Sequence, residues 1–285
     1  MKKTKQRPAP LPGPREAMRE NPVVATVYFL LRFSVILVMI AQFFNKNFEN
    51  VFLCVLTLIL LLLPAMLERS LRIQLPDTLE IIILLFIYAA EILGEIREFY
   101  TTFQGWDTML HTLNGFLCAA IGFSLVDLFN RNERFSLSLS PVFMAIVAFC
   151  FSMTIGVLWE FFECIMDSFF LLDMQKDTIV HDISTVMLDP TGGNKITAIR
   201  GITDVIVVAG GKEIPLGLGG YLDIGLLDTM KDLFVNFIGA FVFSIIGYFY
   251  VKNRGRGRFA RRFIPKVLPE EPVQADEEDS GPDHT

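Results

Sequence analysis

The stretch WDTMLHTLNGFLCAAIGFSLVDL, residues 106–128, is apolar enough to cross a bilayer, yet Asp107, His111 and Asn114 fall in its first half. Positions three, four or seven apart share one face of a helix, so these side chains form a single polar stripe. A charged group facing lipid is costly, and such a stripe turns toward a bundle interior or a water-filled cavity. The stretch therefore reads as a membrane helix with one polar face, and the chain as an all-α polytopic membrane protein.

The composition agrees. Of 285 residues, 52% are hydrophobic and 20% charged, a balance shifted from soluble averages toward the membrane class. Six segments are candidates to cross a hydrocarbon core of roughly 30 Å: residues 23–44, 51–67, 79–94, 106–128, 141–166 and 226–251. The third is interrupted at its outer end by Glu91 and Glu95. No small-residue cleavage site follows Phe44, so the first segment reads as a retained helix rather than a signal peptide. Cys54, Cys118, Cys150 and Cys164 lack metal-type or redox spacing, and are expected to be buried, inert thiols.

Lys and Arg concentrate on cytoplasmic loops. Seventeen of the 25 basic residues lie before span one, between spans two and three, between four and five, or after six, all on one side. Six transmembrane helices with N and C termini cytoplasmic follow, placing the protein in the plasma membrane. Residues 1–22 form a basic, Pro-rich tail expected to be disordered, and 23–166 carry helices one to five. Residues 167–225 are an extracytoplasmic loop, 226–251 helix six, and 252–285 a basic then acidic cytoplasmic tail. The run NRGRGRFARR beneath the last span reads as an orientation signal touching anionic lipid, not as a nucleic-acid site.

The external loop differs in composition. KITAIRGITDVIVVAGGKEIPLGLGGYLDIG alternates β-branched residues with Gly-rich turns, and Ala209-Gly210-Gly211 between VIVV and KEIPL predicts a hairpin connection. A small extracytoplasmic β subdomain is expected. PTGG and GLGG lack the Lys-Ser/Thr of a phosphate loop and read as turns.

With this orientation, the polar intramembrane residues of the later spans fall in one outer layer. Glu91 with Glu95, Glu160 with Glu163, and Asp228 with Asp232 and Asn236 each make a stripe like that of Asp107, His111 and Asn114. Interhelical hydrogen bonding accounts for the asparagines. It accounts poorly for this many carboxylates and an imidazole, which repel unless protonated or bound to a cation. Arg32, at mid-depth of span one, is the candidate counter-charge.

These residues also carry a resemblance. WDTMLHTLNGF, LWEFFE and LLDTMKDLFVNFIGAFVFSIIGY resemble the YjdF-like family of bacterial multi-pass inner-membrane proteins, a family without an assigned biochemical role. More distantly, D-x-x-x-H and D-x-x-x-D-x-x-x-N-x-x-G-A look like the VanZ-like family, named for low-level teicoplanin resistance. The resemblance covers spans three to six and implies a site of Asp107, His111, Glu160, Glu163, Asp228, Asp232 and Asn236. Residues 178–221 look like an insertion relative to that family.

Three readings of function follow. In the first, an outward-facing acidic and histidine site serves a cell-envelope process on a lipid-linked or cell-wall molecule. Such an oxygen-rich set suits Mg²⁺, Mn²⁺ or Ca²⁺ and accepts Zn²⁺, with His111, Glu160, Glu163 and Asp232 as candidate metal ligands. In the second, coupled carboxylates and His111 serve a proton- or cation-coupled carrier or sensor. In the third, the chain is a scaffold whose external β subdomain docks an envelope protein. No H-E-x-x-H or G-x-S-x-G motif is present, so catalysis has no support in any established motif.

Overall fold

The computed structural model describes residues 22–71, 73–131, 139–253 and 257–267. The expected disordered N-terminal tail lies outside these residues except for Pro22, as do the acidic end of the C-terminal tail and the loop charges Arg72, Arg134, Arg254 and Arg256. The chain divides into two compact units, Met1–Phe99 with Gly255–Thr285, and Tyr100–Arg254.

In the first unit, α1 (Pro22–Phe44) is followed by α2 (Phe48–Leu60) and, after a two-residue turn, α3 (Leu63–Leu71). Asn47 caps α2, its side-chain oxygen accepting the Asn50 N–H at 3.1 Å. The strand β1 (Ile73–Gln74) leads to α4 (Asp77–Tyr88), which continues as a π-helical segment, Ala89–Ile96, carrying Glu91 and Glu95. The π pattern closes with the Arg97 N–H on the Ile92 carbonyl at 3.1 Å, a bond to the fifth preceding residue. Val35, Cys54, Leu61, Leu79 and Leu84 form the core of this unit. Arg32 stands over the Tyr28 ring, 4.9 Å from its centroid.

Among the described residues, five helices are long and apolar enough to cross a membrane: Pro22–Phe44, Phe48–Ser70, Trp106–Asp127, Pro141–Phe170 and Leu226–Lys252. The expected third span corresponds to α4, 12 residues long, extended by the 8-residue π segment. Part of the expected basic tail is folded. Ala260–Arg262 form a 3-10 turn, Phe263 and Ile264 are buried, and β8 (Lys266–Val267) pairs antiparallel with β1.

The second unit is built on α5 (Trp106–Arg131), α6 (Pro141–Phe170) and α7 (Leu226–Lys252). The Ser140 hydroxyl caps α6 by accepting the Phe143 N–H at 3.2 Å, with Pro141 in the first turn, where its missing N–H is not needed. α5 and α7 run in the same direction: Asp107 meets Lys231 at one end, Asn114 meets Asn236 further along, and Phe123 meets Tyr250 near the other. α6 runs against them, joining α5 from Ser152 to Gly115 and from Glu160 to His111. α5 is the central helix, with 56% of its apolar window buried against 22% for that of α6.

Glycine makes this packing possible. A Cβ on Gly239 would run into the Thr112 carbonyl and lie 2.8 Å from the Phe116 nitrogen, and one on Gly115 would meet the Asn236 backbone. α5 and α7 therefore cross backbone to backbone, the small-residue contact through which membrane helices gain van der Waals packing. Below the crossing, Phe243 stacks edge-on to Phe116 at 5.0 Å and to Phe123 at 6.2 Å.

Between α6 and α7 the chain forms three separate antiparallel pairs: β2 (Ile179–Val180) with β7 (Tyr221–Leu222), β3 (Ile183–Thr185) with β4 (Thr197–Ile199), and β5 (Ile206–Ala209) with β6 (Lys212–Pro215). The expected single β subdomain is thus a set of small sheets. Gly210 and Gly211, at φ +59° and +75°, make the β5–β6 turn, where a two-residue loop matching strand twist needs two positive φ values. Two of the four thiols depart from expectation. Cys54 is buried, Cys118 is partly buried, and Cys150 and Cys164 lie exposed on α6, because α6 turns these positions away from α5 and α7.

Candidate functional site

The polar stripes of α5, α6 and α7 meet at one end of the second unit. Asp107 and His111 are one turn apart on α5, with His111 Nε2 3.3 Å from Asp107 Oδ1. The same nitrogen lies 3.9 Å from Asp232 Oδ2 on α7, and the other ring nitrogen, Nδ1, lies 3.8 Å from Glu160 Oε1 on α6. One imidazole thus faces carboxylates from all three helices.

A lysine closes the arrangement. Lys231 Nζ lies 2.7 Å from Asp228 Oδ1, 3.4 Å from Asp107 Oδ2 and 3.5 Å from Asp232 Oδ1. Asp107 and Asp232 therefore each direct one oxygen at the imidazole and the other at the ammonium. The side chains grow more buried inward: Lys231 is 45% exposed, Asp107 28%, His111 11% and Asp232 2%. The site opens past Lys231.

A segment following α6 straps the opening. Asp167 accepts the Met174 and Gln175 N–H groups at 2.7 and 2.8 Å, the Lys176 N–H donates to Asp228 Oδ2 at 2.9 Å, and the Gln175 amide donates to Thr229 Oγ1 at 2.6 Å. A Cβ on Gly225, at φ +77°, would lie 2.6 Å from Gln175 Cβ, so the start of α7 admits the strap only with glycine there.

Two carboxylate oxygens are fully buried with no hydrogen-bond partner among the described residues: Glu160 Oε2 and Asp232 Oδ1, the latter facing Lys231 at ion-pair distance. A group left so is costly in an apolar interior. Ligand atoms of Asp107, His111 and Asp232 all lie within 4.8 Å of one another, close enough to share a metal ion. Of the ligands expected from sequence, His111 and Asp232 belong to this set. Glu160 faces the far ring nitrogen, and Glu163 accepts the Trp159 indole N–H at 2.8 Å.

The asparagines do different work. Asn114 donates to Asn236 at 3.3 Å, and the Asn236 amide reaches the Ser152 carbonyl at 3.5 Å, tying three helices together one turn below the imidazole. Glu91, Glu95 and Arg32 belong to the first unit. Sequence reasoning passed over Lys231, Gln175 and Thr229. Lys231 had a signal, since it follows Asp228 by three and shares its helix face. Gln175 and Thr229 had none, because they meet only through the strap.

The family described as "Predicted membrane protein (DUF2238)" matches residues 27–253, most of the chain and all of this site. The chain belongs to the DUF2238 family. Membership makes it a membrane protein and is consistent with the YjdF-like resemblance, while the VanZ-like likeness rests on the quoted residues alone. No curated protein and no solved structure is detectably similar to this DUF2238 chain.

Proposed function

We propose that this DUF2238 protein spans the plasma membrane six times with both termini cytoplasmic, and holds a divalent cation on Asp107, His111 and Asp232 at its outer face. The single observation that carries the reading is a charge deficit. Five carboxylates, Asp107, Glu160, Glu163, Asp228 and Asp232, gather around one imidazole and one ammonium, and among the described residues two buried oxygens, Glu160 Oε2 and Asp232 Oδ1, accept no hydrogen bond, the latter facing Lys231 at 3.5 Å. Carboxylates so placed require protons or a cation.

The donor set decides between cations. One imidazole nitrogen with two carboxylate oxygens suits Zn²⁺ or Mn²⁺ better than Ca²⁺, which prefers an all-oxygen shell of six to eight. Three protein ligands leave a position for water or substrate, the arrangement of catalytic rather than structural zinc. Glu160, beside His111 Nδ1, would fix the ring with Nε2 toward the ion. A cation open to the outer face would grip an oxyanion, which fits a role in the cell envelope on a phosphate-bearing or cell-wall molecule.

A second reading has one observation behind it. Lys231 already bridges Asp107, Asp228 and Asp232, so the layer also suits a proton-linked or architectural role. Metal content of the purified protein separates the two, with wild type beside His111→Ala and Asp232→Ala and each variant checked for folding. The expected result is stoichiometric metal in the wild type, lost in both folded variants. A well-folded wild type that takes up neither Mn²⁺ nor Zn²⁺ overturns the cation site.

A further inference from the structure

We infer that Lys231 is a built-in competitor for the cation, occupying the outer side of the Asp107 and Asp232 carboxylates and yielding it when a divalent ion binds. The inference rests on the proposed cation site and names how that site is regulated.

The geometry assigns the parts. Asp107 Oδ1 and Asp232 Oδ2 face His111 Nε2, while Asp107 Oδ2 and Asp232 Oδ1 face Lys231 Nζ at 3.4 and 3.5 Å. The ammonium thus stands at the mouth, on the path by which an ion from solvent would reach the imidazole. Its contacts with these carboxylates are long. Its contact with Asp228 Oδ1 is short, at 2.7 Å, and the other Asp228 oxygen is held by the Lys176 N–H.

Asp228 is therefore a holding point, a positioning residue rather than a ligand. An ion entering between Asp107, His111 and Asp232 takes over the two long contacts, and Lys231 retains the short one. The flexible four-carbon stem of lysine and its 45% exposure let the ammonium withdraw without repacking. Asp232 Oδ2, on the His111 side, and the buried Glu160 Oε2, which has no hydrogen-bond partner among the described residues, stay available on the inner side. Lysine suits this role because its charge is tethered: it limits repulsion among the carboxylates in the ion-free state yet cannot diffuse away, so the site excludes ions that bind weakly.

The test is a titration of full-length protein in nanodiscs with Mn²⁺ followed by EPR, repeated with Zn²⁺. Lys231→Ala and Lys231→Gln are expected to tighten binding on the order of tenfold, the effect of removing one positive charge several ångströms from a divalent ion in a water-like dielectric. Lys231→Arg should bind like wild type. Asp228→Asn should weaken binding by freeing the ammonium to settle on Asp107 and Asp232, and this effect should shrink when combined with Lys231→Ala. A merely structural Asp228 would show the same loss in both backgrounds, which sinks the assignment of its role.

If Lys231→Ala and Lys231→Gln weaken binding or leave it unchanged while His111→Ala abolishes it, the inference is wrong and the cation site stands. A wild type that binds weakly beside a Lys231→Ala protein that binds tightly through His111 supports the inference in its strongest form. If no variant binds, both the inference and the cation site fail.

Discussion

Gly239→Ala tests whether the site depends on the backbone crossing of α5 and α7. The added methyl would lie 2.8 Å from the Phe116 nitrogen, 3.0 Å from the Thr112 carbonyl carbon and closer still to the Thr112 oxygen, where 3.4 Å is ordinary contact. The Phe116 contact alone asks for about 0.6 Å of separation and the closer Thr112 oxygen for more, and backbone offers no side chain to swing aside, so a cost of about 1–3 kcal/mol is expected. Thr112 adjoins His111, and a shift of that size exceeds the roughly 0.2 Å that metal–ligand distances tolerate, so cation affinity should fall about 10–100-fold. Gly156→Ala is the control. Its methyl would meet the Asn236 side chain, the amide nitrogen at 2.7 Å and its carbon at 3.0 Å, rather than backbone, so it should loosen the Asn114 and Ser152 contacts but cost less than Gly239→Ala and spare the cation. Equilibrium unfolding in mixed micelles, paired with Mn²⁺ titration, reads both effects. If Gly239→Ala is as stable as wild type, or no worse than Gly156→Ala, the crossing is not what positions His111 against Asp232.

Three further outcomes are expected. Asn236→Ala removes the Asn114 contact and the reach to Ser152, and should cost about 1 kcal/mol in the same unfolding assay, since interhelical hydrogen bonds in membranes average about 0.6 kcal/mol; cation loading should be retained, and a stable variant that loses the cation would make Asn236 part of the site. Asp189 is held down to about 2 by the backbone N–H of Thr191, the Thr191 hydroxyl and the N–H groups of Lys195 and Gly193; because its folded value is depressed, the loop is secured above the ordinary carboxylate range and released as pH falls toward 2, and Asp189→Ala should speed amide exchange at Gly193 and Lys195 at neutral pH. Cation loading should decline on acidification, because a ligand imidazole must be neutral and its carboxylates ionised, and loading that stays flat from pH 8 to 5 would argue against His111 as a ligand.

Much of this was legible in the sequence, for physical reasons. Hydropathy marks long helices because lipid tolerates few other backbones. The three-and-four spacing of Asp107 and His111, of Glu160 and Glu163, and of Asp228 and Asp232 identified the faces that meet. Ala209-Gly210-Gly211 announced a hairpin because glycine accepts the positive φ values such a turn needs, though Ala209 itself pairs with Lys212 in the strands. What escaped depends on partners distant in the chain. Gly115 and Gly239 look like ordinary helix glycines until the opposing backbone arrives. Lys231 reads as a surface lysine unless Asp107 and Asp232 are known to converge on it. Two-residue strands such as Ile73–Gln74 and Lys266–Val267 carry no period of their own, and the switch from α- to π-helix at Ala89 leaves no pattern in AAEILGEI.

The β2–β7 pair has a consequence for what can change beyond it. Ile179 and Val180 pair with Leu222 and Tyr221, and alongside them the Thr178 N–H donates to Asp223 Oδ1 while the Asp223 N–H returns to the Thr178 carbonyl. These bonds close the neck of the segment between α6 and α7 at the borders of residues 178–221, the stretch that reads as an insertion relative to the YjdF-like pattern. Everything beyond the neck therefore hangs on this clasp. Its length and composition could change without touching the strap, whose bonds to Asp228 and Thr229 lie outside the clasp, or the buried His111 centre.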